Sequence, residues 1–187
     1  MTLLIIGLVL FLGIHLVPAV PPLRAGLVGA MGENGYKGLF ALLSLAGLVV
    51  IVMGYARAPY VHVYNPMPGA KHLAMTVMPI VFILLAAANM PGKIRATLKH
   101  PMLIAVLLWA GAHLLANGDL RSILLFGSFA AYAVVDLISE LARGKTLIGD
   151  KTPTARKDLM AVVGGLLVFA VFMYFHGALF GVALVGS

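Results

Sequence analysis

Six continuous apolar runs, separated by short stretches rich in Pro, Gly, Asn and charge, make up most of the chain. They cover residues 2–20, 37–55, 72–89, 100–117, 120–141 and 158–184. A helix rises about 1.5 Å per residue and a bilayer's hydrocarbon core is about 30 Å thick, so each run is about the length of one crossing. The runs are unbroken rather than alternating, which predicts helices and not the strands of a barrel. The pattern therefore predicts an all-α polytopic membrane protein, six transmembrane helices in one bundle, forming a single domain over residues 1–187. The first run has no basic residues before it and no small-residue cleavage site after it, so it reads as a retained helix. The short connection at residues 117–120 predicts that the fourth and fifth helices form an antiparallel pair. Gly177 and Gly181 are candidates for close helix contact.

Composition narrows the function. Of 187 residues, 62% are hydrophobic and 10% charged, where a soluble domain carries about a quarter charged. That excludes a soluble enzyme, a disordered tail and a coiled coil. The connections are too short for a soluble catalytic domain, and no phosphate-binding loop, zinc-protease helix or nucleophile elbow occurs. The net charge of +7 is spread in short basic runs between apolar stretches, without the basic face that nucleic-acid binding needs. No nucleic-acid partner is expected; the lipid bilayer is. Ten bases (Arg24, Lys37, Lys93, Arg95, Lys99, Arg143, Lys145, Lys151, Arg156 and Lys157) flank one side of the predicted membrane, against Arg57, Lys71 and Arg121 on the other. The positive-inside rule puts the ten in the cytoplasm, so that both termini face outward.

Ionisable groups inside the hydrocarbon are costly, so they are the first candidates for chemistry. These are His15, His113, His176 and Asp136, with His72 and His100 at span edges and His62 in a connection. There is no cysteine, so ligation of a metal or cofactor would fall to His, Met, Asp or Glu. A neutral imidazole needs no counter-charge and suits iron in a dry pocket. Two histidines on facing helices can hold a haem, with Ala110, Gly111 and Ala112 leaving room and Arg24, Arg121 or Lys71 meeting propionates. The plainer alternative is that each histidine ties one helix to the next. Depth counting leaves His15 and His113 more than about 10 Å apart along the membrane normal if the first helix is minimal, in which case His72 or His176 is the better partner for His113. Asp136 and Glu140 share a helix face, with Arg143 three residues on; this predicts an interfacial ion pair, the sharper alternative being a proton path. Tyr55, Tyr60 and Tyr64 read as interface anchors and the ten methionines as packing.

The segment LKHPMLIAVLLWAGAHLLANGDLRSILLFG, residues 98–127, resembles the signature of the NnrU family of bacterial membrane proteins. GLVLFLGIHLVPAVPPLR, residues 7–24, is similar to that family's first helix, and KHLAMTVMPIVFIL, residues 71–84, to its third. The resemblance implies an association with nitrite and nitric oxide reduction. It also implies a relationship to plant 15-cis-zeta-carotene isomerase, a membrane enzyme that holds haem b. His15 and Arg24 match the His and Arg of that enzyme's first conserved helix. Lys99, His100 and Pro101 match the start of a second helix, and Trp109 and His113 its Trp and His. By this resemblance His15 and His113 are axial ligands of haem b, with Arg24, His100 and Trp109 around it. The enzyme's Cys position is Ala110 here, so an exchange of iron ligands through a thiolate is not available.

The leading expectation is thus a haem-b membrane protein performing redox-linked, isomerase-like chemistry on a lipophilic small molecule, or acting on nitric oxide. The alternative is a non-enzymatic transporter or assembly factor for denitrification. A third, a methyltransferase of the isoprenylcysteine type, lacks the expected cytoplasmic nucleotide-binding tail.

Overall fold

A computed structural model of the chain describes residues 1–144 and 152–181. Among the described residues seven α-helices follow one another: α1 (Thr2–Leu16), α2 (Pro21–Arg57), α3 (Ala70–Ala87), α4 (Lys93–Leu98), α5 (Pro101–Ala116), α6 (Leu120–Ala142) and α7 (Ala155–Phe180). A 3₁₀ turn, Val17–Ala19, extends α1. Five helices are long and apolar enough to cross a membrane, and α5 is a shorter apolar helix. Six apolar helices thus answer the six apolar runs, and the architecture is that of an all-α polytopic membrane protein. Bulky apolar side chains such as Val9 (68% exposed) and Leu167 (64%) face outward, a surface that only lipid would cover at low cost. Lys145 and Lys151, and the predicted end of the sixth run at residue 184, lie outside the described residues.

The chain divides into two compact units, residues 1–65 with 117–142, and residues 66–116 with 143–187. The short connection at 117–120 therefore joins helices of different units: α6 packs with α1, while α5 packs with α3.

In the first unit α1 and α2 lie backbone to backbone along a glycine seam. A Cβ at Gly7 would stand 2.6 Å from the Ile51 amide nitrogen, and one at Gly47 would stand 2.8 Å from that of Phe11. A Cβ at Gly54 would run into the Leu4 backbone. Lipid gives two apolar helices no hydrophobic reason to associate, so this close approach, and the dispersion it brings, is what holds them. Leu4, Leu8 and Ile51 form the buried centre, with Leu124, Leu125 and Phe129 of α6 packed on it.

The second unit gathers α3, α5 and α7 around Val81, Leu84 and Ala105. Gly165 of α7 admits the backbone of α3, since a Cβ there would lie 2.7 Å from the Ile83 Cα. The short α4 packs Ile94 into this core.

Three features differ from the sequence expectations. The stretch read as the first connection is helical: α2 begins at Pro21, and its break is confined to Gly32, at φ 75° and ψ 165°. Arg24, whose Nη2 donates to both carboxylate oxygens of Glu33, and Lys37, in an i,i+4 pair with Glu33, span that break. The basic stretch after α3 contains the unexpected α4. Gly181, expected to make a helix contact, instead ends α7 in the left-handed conformation, its N–H bonded to the Gly177 carbonyl.

Candidate functional site

The histidines divide between the units: His15 and His62 belong to the first, and His72, His100, His113 and His176 to the second. His15 sits in the last turn of α1, two residues before the 3₁₀ turn that contains Pro18. Its Nδ1 donates to the Phe11 carbonyl at 2.6 Å. A carbonyl oxygen can only accept, so Nδ1 carries the proton and Nε2 the lone pair. The imidazole stacks on Phe11, with ring centroids 4.2 Å apart, and is flanked by Phe40 at 4.9 Å and Tyr132 at 6.2 Å.

An aromatic run leads from this histidine to Arg24. Phe40 neighbours Tyr36 at 6.2 Å, and the Arg24 guanidinium lies 5.4 Å from the Tyr36 ring centre. Tyr36 is buried among Ile14 and Val17, and its Oη has no hydrogen-bond partner among the described residues. Arg24, expected near a propionate, is held by Glu33 at 2.9 Å and is 43% exposed.

In the second unit His113 repeats the local geometry of His15. Its Nδ1 donates to the carbonyl of Trp109, four residues back, at 2.8 Å, which again leaves the lone pair on Nε2. The Trp109 and His113 rings are 5.5 Å apart. His176, on α7, lies within electrostatic reach of His113. The small residues beside His113 are not equivalent. Ala110 and Ala112 are packed in the interior, whereas a Cβ at Gly111 would meet nothing within 4 Å. At about 100° per residue Gly111 points away from His113, so the open space lies on the far flank of the helix.

His100 opens the turn before α5 as expected and is buried. The residue before it, Lys99, has φ 61° and ψ −49°. The His100 N–H reaches the Leu98 carbonyl at 2.6 Å, closing a γ-turn of the uncommon positive-φ type. His72 is exposed in the first turn of α3 and, with Lys71 and Gly69, lines a shallow surface cleft of about 240 Å³. His62 is exposed and pairs its backbone with Asp119. Asp136 accepts a hydrogen bond from Tyr132 Oη at 3.1 Å.

Sequence reasoning missed one buried polar cluster. Asp119, only 4% exposed, accepts from the Ser122 hydroxyl at 2.6 Å and the Ser122 amide at 3.2 Å. It also pairs with Arg121 at 3.3 Å. The Ser122 hydroxyl meets Tyr55 Oη at 2.9 Å, and the Arg121 guanidinium lies 4.9 Å from the Tyr55 ring centre and donates to the Ala58 carbonyl. The signal was present as an Asp three residues ahead of a Ser at a helix start, the spacing of an N-cap. Among the described residues no three of His, Cys, Asp and Glu gather as a metal-holding group, so the candidate chemistry rests on histidines acting singly or in pairs.

No curated protein and no solved structure matches the chain. The sequence profile of the NnrU protein family matches residues 3–184. The match spans nearly the whole length, from α1 into the segment beyond α7, and the chain belongs to the NnrU protein family.

Proposed function

We propose that this chain is a membrane carrier of haem b, which would be held by His113 together with His176, both of the second unit, or by His15 in the first. The observation that carries the proposal is shared by His15 and His113. Each donates Nδ1 to the carbonyl four residues back, which fixes the ring and leaves the Nε2 lone pair for iron, the arrangement that imidazole ligands of metals adopt. The donor set fits haem b, since neutral imidazoles would bind its iron without adding charge to the membrane interior. The unpartnered Tyr36 hydroxyl, in the aromatic run beside His15, and the proximity of His176 to His113 are further support. On this reading Arg24 would lie near the haem if the first unit holds it, and His100 and Trp109 if the second does. When bound, haem supplies an iron that cycles between ferrous and ferric forms and takes a small gaseous ligand. The Phe11 carbonyl holds the His15 imidazole in one tautomer, the Trp109 carbonyl does the same for His113, and the apolar helices exclude water. The reaction we favour is redox-linked, isomerase-like chemistry on a lipophilic molecule or the handling of nitric oxide during nitrite and nitric oxide reduction. The distribution of basic residues supports a bacterial inner membrane with periplasmic termini.

The test is an absorption spectrum of protein purified in mild detergent from haem-supplied cells. A Soret band that shifts on reduction, and again on adding nitric oxide, is expected. His113→Ala and His176→Ala should each abolish it if the second unit holds the haem, and His15→Ala if the first does. Purified protein without a Soret band overturns the proposal.

A further inference from the structure

The junction of α4 and α7 concentrates positive charge on a built scaffold. The Asp158 carboxylate, in the first turn of α7, accepts the backbone N–H groups of Lys93 and Ile94 at 2.9 and 3.0 Å. The Thr154 N–H reaches the Pro91 carbonyl at 3.3 Å. Gly92 is required here, because a Cβ would collide with the Asp158 carboxylate. These bonds set Lys93 and Arg95 of α4 beside Arg156 and Lys157 of α7, with Lys99 at the turn that ends α4. Lys93, Lys99 and Arg156 are exposed. Asp158 is committed to capping α4, and among the described residues none of the surrounding cations forms a salt bridge. Arg95 adds an unsatisfied donor at this junction: its Nε is buried and has no hydrogen-bond partner among the described residues.

Apolar side chains lie within two residues of these cations. Leu98 is 38% exposed, Leu159 63% and Met160 45%. A nucleic acid or a soluble phosphate has no use for that apolar border, whereas a phospholipid presents a phosphate and acyl chains together. We propose that the α4–α7 junction is a binding seat for an acidic phospholipid, its headgroup phosphate held by Lys93, Arg95 and Lys157 and its acyl chains lying along Leu98, Leu159 and Met160. The seat lies in the second unit and does not depend on haem.

The test titrates delipidated protein in neutral micelles with phosphatidylglycerol or phosphatidylcholine and follows bound lipid by native mass spectrometry. Phosphatidylglycerol should give a saturable adduct and phosphatidylcholine should not. A cation near a membrane surface is worth about fivefold in affinity, so Lys93→Gln/Arg95→Gln/Lys157→Gln should weaken binding about a hundredfold. Its melting temperature in neutral micelles should match the wild type, and Lys93→Arg/Lys157→Arg should bind as before. Should the triple variant fail to fold, the wild type still decides, because the preference for phosphatidylglycerol should vanish at about 1 M salt, where screening falls to about 3 Å. Equal binding of both lipids, an unchanged triple variant or a preference that survives salt overturns the proposal. Displacement by inorganic phosphate alone would point to a free-anion site, and displacement by an oligonucleotide to a nucleic-acid surface; either also overturns it.

Discussion

The carboxylate of Asp158 caps the helix that starts at Lys93, accepting its N–H at 2.9 Å and that of Ile94 at 3.0 Å. A helix's first amides have no partner of their own, and a side-chain cap usually comes from the residue just before them. Here it comes from a helix more than sixty residues further along the chain.

Removing this cap should loosen α4. Asp158→Ala loses both acceptors and should lower stability by about 1–2 kcal/mol, while Asp158→Asn keeps one oxygen and should lose less. Gly92→Ala should also destabilise, because its methyl group displaces the same carboxylate. Melting temperatures in one detergent rank the three variants against the wild type; a wild-type value for Asp158→Ala would refute the cap.

The glycine seam between α1 and α2 makes a second prediction. Gly47→Ala and Gly54→Ala force backbones apart that now touch, and each should cost about 1–3 kcal/mol. Gly29→Ala and Gly38→Ala, on the same helix, meet nothing within 4 Å and should be neutral or stabilising by up to about 1 kcal/mol. Denaturation of all four in increasing fractions of ionic detergent separates the two pairs, and equal losses across them would contradict the seam.

The cluster around Asp119 should behave as one unit. Ser122→Ala removes the 2.6 Å bond to a buried carboxylate and the partner of Tyr55 Oη, at a cost of about 1–3 kcal/mol. Tyr55→Phe costs less, and the double variant should fall short of the sum by at least about 0.5 kcal/mol. Full additivity in that double-mutant cycle would show that the hydroxyls act independently.

Lys99 holds a positive φ that a side chain resists. Such a residue stores about 1–3 kcal/mol of strain, so Lys99→Gly should leave stability unchanged or raise it, and Lys99→Val should lower it by at least about 1 kcal/mol. Thermal unfolding of the pair is the measurement, and a glycine variant less stable than the valine one would remove the argument from strain.

The membrane helices were legible because their signal is local and large. The run at 120–141 became α6, Leu120–Ala142, and that at 100–117 became α5, Pro101–Ala116. What escaped depends on partners distant in sequence. The stretch around Glu33 reads as a connection because glycines and charge interrupt it, yet Arg24 and Lys37 both reach Glu33 and carry the helix up to a break at a single glycine. The segment Lys93–Leu98 is too short to form a helix unaided, and its stabilising carboxylate belongs to α7. At the candidate site, His15 and His113 stood out because charge is rare in hydrocarbon, and the carbonyl bond that sets each tautomer joins residues four apart. The electrostatic neighbour of His113, His176, comes from α7 and could be offered only as one of two alternatives.

The reversal at Lys99 uses a single residue, which leaves the chain no slack between α4 and α5. Adding one residue there would roll α5 by about 100° about its own axis and carry the His113 imidazole round to another flank. Spacing at this point is therefore as strict a requirement as the identity of any side chain, and insertions should be tolerated far less well here than their distance from His113 would imply.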